Sequence, residues 1–162
     1  MGLSKSGKAA VAAVIVVALL GGGGAAAWFL VVYPSQVREA ITARYQELDS
    51  AVTSKDLDGV DEVTRELGIV DKIRGFPMAD QLLDAATLTL TTEVESIEVK
   101  GDTAEATVNR HLSVSVQVPL LSLDLDREWA GVDTDTWKRI DGEWQLTESS
   151  GQALGAFMDW RL

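Results

Sequence analysis

The sequence predicts an α+β protein in which an apolar N-terminal helix precedes two or three amphipathic helices and then an antiparallel sheet. Three observations lead to this prediction. Residues 9–32 contain no charged side chain, and residues 35–86 carry apolar residues at helical spacing. From Thr87 onward the apolar period changes from about 3.6 residues to about 2.

The apolar stretch Ala9–Val32 is long enough to cross the hydrocarbon core of a bilayer, which is about 30 Å thick, at about 1.5 Å per helical residue. We therefore predict a transmembrane helix over residues 9–33. The alternative is a signal peptide cleaved at Ala25–Ala27. We favour a retained helix because cleavage there would leave the apolar stretch Trp28–Tyr33 exposed to water. In a retained helix, Trp28 and Tyr33 lie toward the outer end, where aromatic rings suit a membrane interface.

The basic residues predict the orientation of this helix. Lys5 and Lys8 precede it, and the next basic residue is Arg38. By the positive-inside rule, residues 1–8 are cytoplasmic and residues 34–162 form one extracytoplasmic domain. The expected location is the cell membrane, with a single pass through residues 9–33.

Charge and cysteine content exclude several classes of function. All 25 acidic residues lie after the apolar stretch, whereas the chain has 14 basic residues and a net charge of −11. Such a domain repels nucleic acid, so we predict no nucleic-acid partner. The chain has no cysteine, hence no disulfide framework and no lipidated thiol to anchor it.

Three helices are predicted after the apolar segment. They cover Val37–Val52, Gly59–Leu67 and Pro77–Ala86. Asp58 is the expected cap of the second helix and Gly68 its end. A turn around Gly75 is expected before the third helix, which has a proline near its first position.

The sheet begins with two long strands. In the first, the apolar parity changes between Val94 and Ile97, which predicts a β-bulge near Glu95 and Ser96. A turn at residues 100–102 leads to the second strand, residues 104–118, in which apolar and polar residues alternate and only Arg110 breaks the pattern. Residues 119–135 give no clear element.

The last two strands form a hairpin around the two-residue loop Asp141–Gly142. This loop length places Arg139 opposite Trp144 and Trp137 opposite Leu146. One face of the hairpin is therefore apolar enough to be buried.

The order of elements over roughly residues 35–148, ending in the hairpin W-K-x-x-D-G-x-W-x-L, resembles the nuclear transport factor 2-like, or cystatin-like, superfamily. The matching hairpin residues are Trp137, Lys138, Asp141, Gly142, Trp144 and Leu146. The resemblance implies a cone-like α+β roll, with helices on the concave side of a curved sheet and a mouth that holds a small ligand, a catalytic site or nothing. A span ahead of such a domain is similar to mammalian-cell-entry-associated membrane proteins, which implies an accessory role with other envelope proteins as partners.

Four residues are candidate ligand contacts: Arg110, Tyr45, Trp137 and Trp144. Arg110 lies among valines and needs a carboxylate, carbonyls or a ligand anion beside it. We favour the interpretation that Arg110 pairs with an acidic residue of a helix or reaches the rim. The alternative is that it binds an anionic ligand in the cone. Tyr45 lies on the apolar stripe of the first helix, where packing against the sheet is favoured over a catalytic role.

No catalytic residue, metal ligand or cofactor is predicted. His111, the sole histidine, falls on the polar face of its strand, and the inward stripe of that strand has no carboxylate. The acidic residues Asp124, Asp126, Glu128, Asp133 and Asp135 do not follow the spacing of a helix-loop-helix calcium site. We interpret them as a solvated loop.

The preferred hypothesis is a membrane-anchored, extracytoplasmic binding or scaffolding module without catalysis, which holds a small apolar or anionic ligand or a protein partner. The first alternative is a tethered isomerase- or dehydratase-like enzyme that uses Tyr45 and Arg110 in the cone. The second is a regulatory subunit of an envelope complex, joined through residues 9–33 and the carboxyl-terminal residues 151–162.

Overall fold

The computed structural model describes residues 33–118, 123–151 and 154. The predicted membrane helix, residues 9–33, lies outside the described residues apart from Tyr33, and it stays a prediction. Within the described ranges, no helix combines the length and the apolar character needed to span a membrane. The chain divides into two compact units, residues 1–37 and 38–162, and the second contains the sheet.

The helical part precedes the sheet, as the sequence predicts. Its elements are α1 (Tyr33–Ser54), α2 (Leu57–Thr64), a 3-10 turn (Arg65–Leu67), α3 (Ile69–Arg74) and α4 (Ala79–Ala85). The turn expected around Gly75 is in fact preceded by a helix, α3. With six residues, α3 is too short to show a helical repeat in the sequence.

We predicted Asp58 as the cap of α2 from the sequence, but the cap is Asp56. The Asp56 side chain accepts a hydrogen bond from the Gly59 amide at 3.1 Å, which satisfies one of the free N–H groups at the helix start. Asp58 lies in the first turn and pairs with Arg74 at 2.7 Å. Gly68 ends the 3-10 turn with φ +61°, as predicted for a left-handed cap.

The sheet is a curved antiparallel meander of four strands in the order β1-β2-β3-β4. The strands are β1 (Ala86–Lys100), β2 (Thr103–Val118), β3 (Leu123–Ile140) and β4 (Glu143–Ser149). The β1–β2 register shifts between Val94 and Ser96, which confirms the predicted bulge. The terminal hairpin pairs Trp137 with Leu146 and Arg139 with Trp144, also as predicted.

We did not predict the third strand from the sequence. Residues 123–135, which we had assigned to a solvated loop, lie in β3 and pair with residues 106–118 of β2. Asp133 and Asp135 are buried, whereas Val132 between them is 63% exposed. The hydropathy pattern of this strand is thus inverted, because its core-facing side carries charge.

Side chains of α1 cover the outer edge of β1. Asp49 accepts hydrogen bonds from the Thr92 amide at 2.8 Å and from the Thr92 hydroxyl at 2.7 Å. Arg38 Nε donates to the Ile97 carbonyl at 3.1 Å. Since β1 is an edge strand, these contacts occupy backbone groups that would otherwise be available for pairing with another chain.

Candidate functional site

Arg110 is the centre of a buried polar cluster in the second unit. It lies on the core-facing side of β2, between Val108 and Leu112, and none of its surface is exposed. Gly131 of β3 stands opposite it. A guanidinium cannot lose its charge, so its burial requires counter-charges in direct contact.

Both counter-charges come from β3. Arg110 Nη1 donates to Asp133 Oδ2 at 2.8 Å, and Nη2 donates to Asp135 Oδ2 at 2.7 Å. The two aspartates face the core because they share strand parity with Trp137, which is fully buried. The favoured expectation, that Arg110 pairs with a helix carboxylate or reaches the rim, is therefore wrong.

Tyr45 reaches the same cluster from α1. Its hydroxyl donates to Asp135 Oδ2 at 2.8 Å and accepts a hydrogen bond from Trp137 Nε1 at 2.8 Å. The two aromatic rings meet edge to face, with centroids 4.9 Å apart at 82°. Arg110 Cζ lies 5.8 Å from the centroid of the Tyr45 ring, within cation–π range. One phenol thus links the helix layer to the sheet.

The electrostatics fix the protonation of this cluster. Burial raises the pKa of the Tyr45 hydroxyl far above its ordinary value, and the charge of Asp135 raises it further. Burial also raises the pKa of Asp133, against the opposing charge of Arg110. For Arg110, burial disfavours the charged form, but the carboxylates outweigh it and the pKa rises. Tyr45 is consequently a neutral donor and Arg110 a permanent cation.

The cluster keeps some unused hydrogen-bonding capacity. Arg110 Nε and Asp135 Oδ1 are buried and have no hydrogen-bond partner among the residues described. Both Nη atoms of Arg110, the Tyr45 hydroxyl and Asp135 Oδ2 are engaged within the protein. A buried polar atom without a partner costs free energy, so these two atoms mark the least satisfied point of the core.

The chain after β4 closes over Asp133. Ser149 Oγ accepts from Arg110 Nη1 at 3.5 Å and from the Gly151 amide at 3.4 Å. A β-carbon at Gly151 would overlap the Asp133 carboxylate. Position 151 therefore admits only glycine without movement of the carboxylate.

Three of the four predicted site residues meet in this cluster, namely Arg110, Tyr45 and Trp137. Trp144 is buried on β4 opposite Arg139 and makes none of the hydrogen bonds of the cluster. Ligand binding by these four residues stays a prediction.

Two members of the cluster were not predicted, Asp133 and Asp135. A signal for them exists in the sequence, since both share the parity of Trp137 and a buried Arg110 requires carboxylates nearby. In the described residues, no group of three or more potential metal ligands is close enough to hold an ion.

The helices and β1 border two spaces, and a residue of the cluster, Tyr45, lines the second of them. An apolar cavity of about 20 Å³ lies among α1–α4 and β1, about the room that one water molecule needs. An open groove of about 590 Å³ runs between α1 and the bulge of β1, with Arg38, Tyr45 and Glu95 in its walls. The volume that the side chains leave free in the apolar cavity is therefore far smaller than that of a usual ligand pocket.

The architecture is that of the NTF2-like fold. Similar solved structures include an NTF2-like superfamily protein from Salmonella enterica serovar Typhimurium, at 14% identity and TM-score 0.53, which covers 73% of this chain and 92% of that chain. An NTF2-like protein with a cystatin-like fold from Novosphingobium aromaticivorans matches at 16% identity and TM-score 0.50, over 80% of this chain and 93% of that chain. A hexachlorocyclohexane dehydrochlorinase, type 2, matches at 15% identity and TM-score 0.50, over 72% and 84%.

These likenesses define the class by its fold: an α+β protein with helices packed on a curved four-stranded antiparallel sheet. The neighbours include an enzyme and proteins named only for their fold, so the class does not prescribe a function. No family model and no curated protein matches the chain.

Proposed function

We propose that this chain is a non-catalytic binding or scaffolding module of the cell envelope, held at the outer face of the membrane by residues 9–33. The observation that carries the non-catalytic part is the closed state of the buried cluster. Arg110, Asp135 and Trp137 have no exposed surface, and Tyr45 is 1% exposed. A general acid or base must come within hydrogen-bond reach of its substrate, and these groups are engaged with one another.

The hydrogen bonds support the same proposal. The Tyr45 hydroxyl donates a hydrogen bond to Asp135 and accepts one from Trp137. Arg110 is neutralised by two carboxylates of the protein, so it has little attraction left for an anionic substrate. A cluster of this kind stabilises one arrangement of helix and sheet and leaves binding to the surface.

The membrane attachment is tested with the full chain produced in a bacterial host. We expect it to stay in membranes washed with alkaline carbonate, and we expect protease added to spheroplasts to digest residues 34–162. The matched control lacks residues 9–33 and should appear in the soluble fraction. A native chain that begins at Trp28 and is free in the medium would contradict the anchored module.

A second candidate is the tethered isomerase- or dehydratase-like enzyme. Two observations favour it: Tyr45 and Arg110 share Asp135, and one neighbour in fold is a dehydrochlorinase. Such enzymes remove a proton, so the chain is incubated in D₂O with cyclic ketones and deuterium incorporation is followed by NMR. Incorporation by the wild type that is lost in Tyr45→Phe would favour the enzyme. We expect no incorporation above the buffer rate.

A further inference from the structure

The helix α1 covers the outer edge of β1 at two places and leaves a gap between them. Asp49 bonds to the Thr92 amide, and Arg38 bonds to the Ile97 carbonyl. The helix between Arg38 and Asp49 is about 16 Å long, and the strand between Thr92 and Ile97 is about 17 Å long. The open groove of about 590 Å³ lies between these two contacts, and we call it the α1–β1 groove. Its lining residues are Arg38, Thr42, Tyr45 and Gln46 of α1 and Thr92, Val94, Glu95, Ser96 and Ile97 of β1.

The backbone of β1 presents unpaired groups to this groove. In an antiparallel pair, the N–H and C=O groups of alternate residues point away from the partner strand. The amides of Leu90 and Thr92 bond to side chains of α1 and so point away from β2. Val94 has the same parity, and beyond the bulge the outward residue is Ile97, whose carbonyl accepts from Arg38. Among the residues that the structure describes, none bonds to the outward groups of Val94 or to the Ile97 amide.

These groups are arranged to pair with one more strand. An added antiparallel strand would accept hydrogen bonds from the amides of Val94 and Ile97 and would donate one to the Val94 carbonyl. The exposed Gln46 lines the opposite wall, where its side-chain amide can bond to the backbone of such a strand. Since the contacts of α1 limit the gap to about 17 Å, the groove admits about five extended residues.

The side chains of β1 indicate the composition of that segment. Glu93, Glu95 and Glu98 are exposed, whereas Val94 is half-buried and Ile97 is buried. Because successive side chains of a strand point to opposite faces, every second residue of a bound segment lies beside the glutamates and the others lie beside Val94 and Ile97. Opposite charges on neighbouring strands attract each other. The groove therefore favours a segment in which basic and apolar residues alternate.

The same glutamates disfavour a second copy of this chain as the occupant. Pairing of two β1 edges would bring the glutamates of both copies side by side, and each copy has a net charge of −11. Arg38 is the only basic residue among the lining residues of the groove, and its Nε is directed at the Ile97 carbonyl. The net charge of the chain attracts a basic segment and repels an acidic one.

We propose that the α1–β1 groove binds an extended segment of a partner protein, in which basic and apolar residues alternate, as an added antiparallel strand on β1. The inference rests on the binding role proposed above, for which it names the surface and the class of partner. It does not depend on membrane attachment. A groove that binds no peptide would leave the carbonate test unaffected, and a chain released by carbonate would leave the peptide tests unaffected.

The first test measures the binding of a blocked peptide, acetyl-Lys-Val-Lys-Val-Lys-amide, by calorimetry. The full chain is held in nanodiscs of uncharged lipid at 0.15 M salt. The control peptide, acetyl-Lys-Lys-Lys-Val-Val-amide, has the same composition and charge without the alternation. We expect the alternating peptide to bind at least about five-fold more tightly. Equal affinities, or no binding of the alternating peptide, would overturn the proposal.

The second test removes one backbone donor from the groove. Val94→Pro deletes the outward amide and places the proline ring at the edge, a position where strands tolerate proline. Val99→Pro makes the same change at the next outward residue after Ile97, which does not line the groove. We expect Val94→Pro to weaken binding of the alternating peptide at least about ten-fold and Val99→Pro to stay within about two-fold of the wild type. Equal losses in the two variants would contradict strand addition at Val94.

The third test addresses charge. Glu93→Gln combined with Glu98→Gln should weaken binding of the alternating peptide at least about three-fold. Asp126→Asn combined with Glu128→Gln removes the same charge from exposed positions of β3 and is the matched control, expected within about two-fold of the wild type. The same loss in both double variants would mean that net charge, and not this edge, attracts the peptide, and the proposal would fail.

Hydrogen exchange of the wild type locates the peptide even where Val94→Pro does not fold. Saturation with the alternating peptide should slow exchange of the amides in residues 93–97 at least about ten-fold. Residues 123–130 of β3, which are separated from the β1 edge by β2, should exchange as before. Unchanged exchange in residues 93–97 would show that the peptide does not pair with β1.

Discussion

The Arg110 cluster places one cation and two carboxylates inside an apolar core, which is an expensive arrangement. Desolvation of three charges is offset only by short hydrogen bonds, and here Asp135 Oδ2 accepts from both Arg110 and Tyr45. Buried ion pairs of this kind add little net stability, but loss of one partner is costly because it leaves an uncompensated charge. Their contribution at this site is to the choice of register, since a one-residue slip of β3 would turn Asp133 and Asp135 to solvent.

The first prediction concerns Arg110→Met. The substitution leaves the carboxylates of Asp133 and Asp135 buried without a cation, so we expect the free energy of unfolding to fall by about 3–5 kcal/mol. Urea unfolding measures the change. Arg127→Met, at an exposed arginine of β3, is the matched control and should stay within about 0.5 kcal/mol of the wild type.

The same argument predicts a rescue. In the triple variant with Asp133→Asn and Asp135→Asn added to Arg110→Met, no charge is left in the cluster. We expect it to recover at least about 1 kcal/mol over Arg110→Met alone, since replacement of a whole buried ion cluster by neutral groups is close to neutral. A triple variant no more stable than Arg110→Met would show that charge balance is not what the arginine supplies.

The second prediction compares two glycines. Gly151→Ala would drive its β-carbon into the Asp133 carboxylate, and we expect a loss of about 1–3 kcal/mol. Gly131, opposite Arg110, has open space at the same position. Gly131→Ala should therefore stabilise the strand by about 0.5 kcal/mol. Thermal unfolding of the two variants side by side is the measurement, and equal effects would contradict the close contact at Gly151.

At the scale of elements, α1 and β1 are joined by Asp49, and this contact predicts a pH dependence. Burial raises the pKa of Asp49 above its ordinary value of 3.8, although the hydrogen bonds from Thr92 and the charge of Arg110 oppose the rise. The folded state then binds the proton more readily than the unfolded state. The contribution of Asp49 to stability is thus fully present below pH 3.8 and is lost as the pH rises through the folded pKa.

Asp49→Asn removes this titration and keeps both contacts, because an amide can accept from the Thr92 amide and donate to its hydroxyl. We expect the variant to gain stability relative to the wild type as the pH rises from about 3 to about 7. Urea unfolding across this range measures the difference. A difference that does not change with pH would contradict the raised pKa.

Some elements of the fold could be predicted from the sequence, and one strand could not. The bulge of β1 followed from one change of parity between Val94 and Ile97, and the hairpin pairs followed from a two-residue loop, because both are local consequences of chain geometry. Strand β3 could not be read in this way. Its core-facing positions are Asp133, Asp135 and Trp137, and their burial depends on Arg110 of another strand, which no local pattern contains.

The candidate site was predictable to the same degree. Arg110 and Tyr45 stood out because each was a polar group on an apolar stripe, and the structure brings them together through Asp135. The carboxylates were assigned to a loop because acidic residues at alternating positions are normally solvated. Trp144 was grouped with Trp137 on hairpin geometry alone, which fixes the pairing of the strands but not the hydrogen bonds of the side chains.

At the scale of the molecule, net charge is the dominant feature, with 25 acidic against 14 basic residues. Repulsion among them destabilises the compact state. One place where like charges face each other is the sheet, in which Glu98 of β1 stands directly opposite Glu105 of β2 and both are exposed. The opposing contribution comes from surface ion pairs, above all the contacts of Arg44 with Glu62 of α2 and Glu143 of β4, each at 3.1 Å.

Added salt separates these two contributions. Exposed ion pairs are worth up to about 1 kcal/mol each, and salt weakens them, whereas it relieves the repulsion of the whole net charge. The Debye length falls from about 30 Å at 0.01 M salt to about 8 Å at 0.15 M, so we expect the urea midpoint of the full chain in nanodiscs of uncharged lipid to rise over this range. Glu105→Gln removes one member of the facing pair, and the variant should start more stable at low salt and gain less from added salt. A midpoint that falls with salt would mean that the Arg44 contacts outweigh the repulsion, and Arg44→Gln would then abolish the fall.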